Sequence, residues 1–386
     1  MTALASGRSP TATTAAVPLV LLGPGKVGQA LVGLLLERGE QLARRAGLRV
    51  ELTAVADSSG IVQAERGGLT DAALRRVLRS KMRGEPLRAW PAARDGAVAV
   101  DTIDPRASEA YGVPPILVDT SAADTTPSLL DARERGWYLA LANKLPLTGA
   151  IDAFDRLTRH GSGARWETTV ASSLPVVATL QTLLDRGDTV RWISGALSGT
   201  LGFIAREMER GQPFSAAVTQ AVGLGLTEPD PSEDVSGHDV ARKALILARM
   251  LGYRLELDAV DLAGLVAPVR DASDMQAFLA RLTELDGEME RRVAAAGGGA
   301  LRFLATIGQG RVRVGLVGVD DRSPLGAVDP GNSVVVFETD CYSTHPLVLS
   351  GRGGGPQAAA MGVLGDVMSL ARASLREGGR ATVTSP

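Results

Sequence analysis

Hydrophobic positions in the first third of the chain fall in short runs separated by longer mixed stretches. Residues 17–22, VPLVLL, are an apolar run ended by glycine, as in a parallel strand buried on both faces. Gln29 to Arg45 follows with apolar positions at helical spacing. Residues 48–56, LRVELTAVA, alternate apolar and polar as a second strand does, and Asp57 ends it. Further short strands are expected at 97–101, 115–119 and 137–142, with a helix at 127–135. Strands alternating with helices predict an α/β fold, a doubly wound sheet of Rossmann type. After about residue 150 the texture changes. Strand-like pieces at 165–170, 189–196, 311–319 and 333–338 interleave with helical runs at 174–186, 200–210, 214–223, 238–252 and 274–295. This predicts a second, α+β domain with one sheet and helices on one side. A glycine-rich turn from Gly351 leads into a helical run at 356–376, expected to return to the first domain. The chain thus divides into a disordered tail 1–16, a first domain 17–150, a second 151–345 and a returning segment 346–386.

Composition narrows the class. A chain of 386 residues with 45% hydrophobic and 22% charged residues has the make-up of an ordinary globular protein with a large core. A net charge of −2 gives no electrostatic case for nucleic acid or an anionic membrane. No apolar run reaches the roughly 18–20 residues that span a bilayer, and the tail lacks the apolar stretch of a signal peptide, so a cytoplasmic protein is expected. One cysteine, Cys341, rules out an intrachain disulfide and reads as a buried, inert thiol. The histidines (His160, His238 and His345) are too scattered to suggest a metal cluster. His238 reads as a surface residue in a first helical turn.

Two segments carry chemistry. Gly23, Gly25 and Gly28 form G-x-G-x-x-G between a strand and a helix, the context a dinucleotide site requires. The first glycine permits a tight turn, the second lets a pyrophosphate approach, and the third lets helix and strand pack closely. Lys26 and Val27 lie in the turn that leads into the helix, at whose N-terminus amide hydrogens point at an anion. Asp57 suits a ribose 2′-hydroxyl, which leans the cofactor toward NAD; Lys26, Arg44 and Arg45 leave NADP open. The second segment is 227–243, TEPDPSEDVSGHDVARK. Four carboxylates, Glu228, Asp230, Glu233 and Asp234, crowd a stretch stiffened by two prolines, and Asp239 and Lys243 stand four apart on one helix face. Such a segment suits a polar pocket whose acids hold an ammonium or hydroxyl and whose lysine moves a proton. It also fits a plain capping box, Ser236 with Asp239, beside a surface ion pair.

Together, GPGKVG (23–28), VDTSA (118–122), ANK (142–144), ETTVASSLPV (167–176), GALSGTLGFI (195–204), the stretch 225–249 and PLVLSGRGGG (346–355) resemble the homoserine dehydrogenase family over nearly the whole chain from residue 17. The resemblance implies NAD- or NADP-dependent interconversion of L-homoserine and L-aspartate 4-semialdehyde. It implies Lys243 as proton donor, with Lys144 near the reacting group. Glu228 and Asp239, with Asp234 beside them, would bind substrate. Ser121, Gly225 and Gly353 would contact cofactor. Glu167, with backbone carbonyls of Val170, Ser172 and Leu174, would bind sodium. A homodimer built on the second domain is also implied. One turn departs from the family: Ala171-Ser172-Ser173 replaces a glycine-rich stretch. That change keeps two other readings in view: a dehydrogenase of another amino-aldehyde or amino-alcohol, and a catalytically silent dinucleotide-binding protein.

Overall fold

A computed structural model of the chain describes residues 15–89, 94–95, 103–104, 106–159, 163–227, 231–263, 265, 275–295 and 299–381. Strand β1 (Ala15–Leu22) enters a glycine turn and helix α1 (Lys26–Ala46), which returns the chain to β2 (Leu48–Asp57). Next come β3 (Gly60–Gln63), α2 (Asp71–Met82), β4 (Arg94–Asp95) and α3 (Arg106–Glu109). β5 (Ile116–Asp119), α4 (Thr126–Glu134), β6 (Tyr138–Leu141), α5 (Leu145–Thr148), α6 (Ile151–Thr158) and β7 (Ala164–Arg165) complete the first sheet. Its order is β4-β3-β2-β1-β5-β6-β7. The strands from β2 through β7 in that order run parallel, and β3 and β4 add an antiparallel margin.

The near-continuous apolar runs read in the sequence have a direct cause: both faces of this sheet are covered. Val17, Leu19, Leu21, Ile116 and Val118 pack with Leu31 of α1 and Val77 of α2. Val20, Leu22, Leu117 and Leu139 pack with Leu129 of α4 and Leu157 of α6. The sheet is doubly wound. Because β2 and β5 flank β1 on opposite sides, the switch point lies where β1 and β5 end.

The second sheet is built from later elements. After α7 (Thr168–Ala171) and α8 (Val176–Asp185) come β8 (Val190–Ala196), α9 (Gly199–Glu209), α10 (Phe214–Gly223), α11 (Pro231–Ser236) and α12 (His238–Met250). β9 (Asp261–Ala263), α13 (Met275–Leu282), α14 (Asp286–Ala295), β10 (Ala300–Gly308), β11 (Arg311–Val319), β12 (Asn332–Thr339) and β13 (Leu347–Arg352) follow. The order is β13-β12-β8-β10-β11-β9, antiparallel except for β9 along β11. Ile193, Phe303, Ala305, Val335 and Phe337 face α9 and α12 in one cluster. The last helix, α15 (Pro356–Ala381), lies on the first sheet beside α1, with Val363, Val367, Leu370 and Ala371 in that core. Tyr138 of β6 donates to Glu377 at 2.5 Å. By length and composition α15 is apolar enough to cross a bilayer, although no run of that length is expected from the sequence; 61% of its apolar window is buried against this core.

Several expectations are corrected. The strand expected at 165–170 stops at Arg165, and Thr168–Ala171 is helical. Thr169 donates its hydroxyl to Trp166 O at 2.7 Å, closing a turn that a strand would forbid. The single helix expected over 274–295 breaks at 283–285, where Asp286 accepts from the backbone and hydroxyl of Ser215 and pins the chain. The first strand starts at Ala15, two residues into the expected tail. Cys341 is exposed, not buried. β3, α2, β10 and β13 have no counterpart in the sequence reading. The strand expected at 97–101, His160, Glu228 and Asp230 lie outside the described residues.

Candidate active site

The glycine turn shows a division of labour. Gly23 adopts φ +75°, and a Cβ there would stand 2.5 Å from the Cα of Ser121. A Cβ on Gly28 would meet Gly23 O at 2.7 Å and Thr120 Oγ1 at 2.8 Å. Gly25 faces open space, with nothing within 4 Å of its would-be Cβ. It is the N-cap of α1, and no side chain caps that helix. The first-turn amides at Lys26 and Val27 are therefore left to an anion. These residues fit a dinucleotide pyrophosphate.

The far side of the crevice is held by a network the sequence reading did not single out. Asp119, at the end of β5, is fully buried. It accepts from Ser121 N at 2.9 Å, Thr125 Oγ1 at 2.5 Å and Asn143 Nδ2 at 3.1 Å. Burial pushes its pKa up against these hydrogen bonds. Asn143 also donates to Ser121 Oγ and Ala123 O. Ser121 is thus pressed against Gly23 and fixed by the residue that precedes Lys144. Both Asp119 and Asn143 lie inside the segments VDTSA and ANK, so their pattern was in view, but their burial was not.

Lys144 is the N-cap of α5, three residues beyond β6. It reaches Asp239 Oδ1 at 3.2 Å. Lys243 reaches Asp239 Oδ2 at 2.7 Å and donates to Leu197 O at 2.8 Å. The structure therefore brings the two lysines and Asp239 together, from α5 and the first turns of α12. Cleft burial opposes ionisation of Asp239, but the two ammonium groups outweigh it and hold the carboxyl below the ordinary carboxylate range. The group has a net charge of +1, suited to an oxygen that gains negative charge. Ser236 does not form the expected capping box with Asp239. Ser236 is the last residue of α11, and the N-cap of α12 is Gly237, at φ +76°, which has no side chain to cap with. Ser236 instead accepts from His238 N and lies 3.0 Å from His238 Nδ1. Asp234 is half-buried in α11.

Two other expected sites look different. Asp57 Oδ1 accepts from Ser59 N at 2.8 Å and from the Ser59 hydroxyl; Oδ2 takes Lys81 Nζ at 2.8 Å and Leu87 N at 3.2 Å. The carboxylate ties down the β2–β3 turn, and Lys81 cancels the charge that would repel a 2′-phosphate. The lean toward NAD therefore has no support in the structure. Lys81 was missed because it lies on a helix the sequence reading left out.

Glu167 turns its carboxylate onto the start of α8, accepting from Val177 N and Ala178 N at 2.8 Å each. Burial raises its pKa all the same. Leu174 O accepts from Val176 N, and Ser172 O faces Gly362, whose would-be Cβ lies 2.6 Å away. Val170 is buried in the core. Helix amides answer the Glu167 charge and Val176 N occupies Leu174 O, so the carboxylate and one of the three carbonyls are already engaged and this donor set is a poor fit for a sodium cage. Ser172 itself sits at φ +56°, ψ −110°, and its hydroxyl donates to Gly353 O at 3.2 Å. Gly353 is thereby joined to the unusual turn. Gly225 (φ +67°) follows α10 on the surface, and no contact among the described residues joins it to the lysines.

Residues 175–368, half of the chain, match the family described as homoserine dehydrogenase. The bifunctional aspartokinase/homoserine dehydrogenase of Haemophilus influenzae is 32% identical over 364 residues, covering 91% of this chain and 42% of the relative. The chain thus spans about two fifths of that protein. A Candida auris protein of unknown function has a similar structure, with TM-score 0.78 and 26% identity over 92% of this chain and 98% of its own. A hyperthermophilic archaeal homoserine dehydrogenase, solved in complex with NADPH, shares the fold at TM-score 0.71 and 23% identity, covering 92% of this chain and 98% of its own. The glycine turn, the switch-point crevice and these matches together place the chain in the homoserine dehydrogenase family.

Proposed function

We propose that the protein is a nicotinamide-dependent oxidoreductase that interconverts L-homoserine and L-aspartate 4-semialdehyde, in the biosynthesis of threonine and methionine. The observation that carries this is the sharing of Asp239 by Lys144 and Lys243 at the carboxyl edge of a dinucleotide-type sheet. Bound at the glycine turn, the nicotinamide cofactor supplies or takes the hydride. Lys243 has two of its three N–H bonds committed, to Leu197 O and Asp239. The third hydrogen-bonds the aldehyde oxygen and gives it a proton as the alcohol forms. Lys144 adds a second positive charge that stabilises the same oxygen. Asp239 keeps both ammonium groups in place. Glu228 and Asp234, from the acidic segment, answer the substrate's α-ammonium, while Asp239 serves substrate binding through the two lysines it holds. A plain aldehyde lacks the ammonium that these carboxylates would meet.

Cofactor contacts fall to Gly23, Gly25, Gly28, the α1 amides, Ser121 and Gly353, with Gly225 from the surface loop. The Asp57–Lys81 pair supports use of NADP as well as NAD. The open edge of β13 supports a homodimer through the second sheet, which light scattering would test. The decisive assay supplies L-homoserine with NAD and NADP separately. Turnover with either supports the reading. Tight cofactor binding without turnover on homoserine would replace it with the silent-binder reading, and turnover on another amino-alcohol alone would make the protein a paralogous dehydrogenase.

A further inference from the structure

Helix α12 bears Asp239 and Lys243 near its start and Arg249 near its end. The Arg249 side chain has no exposed surface. Its guanidinium donates to Leu147 O at 2.8 Å, Gly149 O at 2.7 Å, and Leu255 O at 3.1 Å from Nε and 3.0 Å from Nη2. It also pairs with Glu256 at 2.8 Å and lies 5.6 Å from the centre of the Phe154 ring. Burying a charge is costly, and an apolar side chain would fill the same space more cheaply. What the guanidinium adds is direction: a planar fork that fixes several carbonyls at once, which a lysine cannot copy.

Leu147 and Gly149 close α5, and Lys144 opens it. A helix of one turn does not hold itself. α12 grips this one at both ends, through Asp239 on Lys144 and through Arg249 on Leu147 and Gly149. We infer that Arg249 is a positioning residue that sets the reach of Lys144 toward the carboxylate it shares with Lys243. The catalytic consequence rests on the dehydrogenase reading; the grip on α5 does not.

The test uses the full chain with R249K and, as a milder change, E256Q, which alters the half-exposed partner, itself also an acceptor from Ile151 N at 3.0 Å, and serves if R249K does not fold. Amide hydrogen exchange is followed in peptides covering 144–150 and in reference peptides from α15 and β10. Exchange over 144–150 is expected to quicken by about tenfold in R249K, and less in E256Q, while the references keep wild-type rates. With aspartate semialdehyde and a cofactor deuterated at the transferred position, the isotope effect on kcat is expected to rise, since a misplaced Lys144 slows the chemical step. Loss of folded protein alone changes neither ratio. Uniform quickening in all peptides would overturn the inference, as would local quickening with a wild-type isotope effect. Absence of turnover by the wild-type enzyme would remove the dehydrogenase reading instead, and the exchange comparison would then decide the grip by itself.

Discussion

Lys144 and Lys243 stand on opposite oxygens of one carboxylate, at 3.2 and 2.7 Å from Asp239. Neither lysine has another anion among the described residues, so this single carboxylate is what joins the two proton-bearing groups. Replacing it, as D239N, removes the charge that holds both ammoniums and leaves them to repel. Steady-state kinetics should show kcat falling by about a hundredfold or more, with cofactor affinity from fluorescence titration little changed. The folded-state pKa of Asp239 lies below its unfolded value. Its contribution to stability is therefore full above the unfolded value, about 4, and is lost as pH falls below that toward the depressed folded value. D239N should lack this acid-limb loss in urea titrations.

Gly25 and Gly28 should fail in different ways. Alanine at 28 forces a methyl group against Gly23 O and Thr120, so G28A should lose about 2 kcal/mol or more of stability. Alanine at 25 meets open space, and the melting temperature should stay within a few degrees, while the cofactor Kd rises by about tenfold as the methyl group blocks an approaching pyrophosphate. Melting curves and cofactor titrations of both variants separate the two roles.

Ser172 is a non-glycine residue with positive φ, held by one hydrogen bond to Gly353. Such conformations cost about 1–3 kcal/mol, more than a typical hydrogen bond returns. S172G should therefore stabilise the protein by about 1 kcal/mol, whereas S172A keeps the strain, loses the bond and should destabilise by about 1 kcal/mol. Opposite signs in chemical denaturation are the expected result.

Asp366 of α15 accepts from Glu167 N at 2.9 Å inside the protein. Burial pushes its carboxyl up to about 8, with the Glu167 charge adding to the rise and Arg165 partly opposing it. Between the unfolded value near 4 and the folded value, the folded state holds a proton that the unfolded state has released. The stability this group contributes is thus full below about pH 4 and declines as pH rises toward 8. D366N, a neutral mimic, should gain on wild type by more than about 1 kcal/mol between pH 5 and pH 8 in urea denaturation.

Much of the first domain was legible because its signals are local. An apolar run, a glycine turn and a helical period fall within residues 17–46, and the structure forms them from the same residues. The strands β10 and β13 were not legible, because long-range pairing decides them: β10 takes its place between β8 and β11. For the same reason, Asp239 and Lys243 could be placed on one helix face from their spacing, whereas Lys144, nearly a hundred residues earlier, could be placed near them only through the family resemblance. Asp57 and Glu167 show the opposite limit. Each sits where a ligand contact is expected, yet neighbours distant in sequence, Lys81 and the start of α8, occupy their oxygens. Arg249 reads in the sequence as one more helix residue, and its bonds to Leu147 O and Gly149 O at the end of α5 are set by the fold.

The proposed role of Lys243 is to give the proton to the substrate oxygen during nicotinamide-dependent reduction. Its most direct test is the rate of NADPH oxidation with L-aspartate 4-semialdehyde by wild type and K243A, at saturating substrate and with cofactor binding confirmed for both. Ready turnover by wild type and a fall in kcat of about a thousandfold in K243A are expected. Near wild-type turnover by K243A would contradict that role.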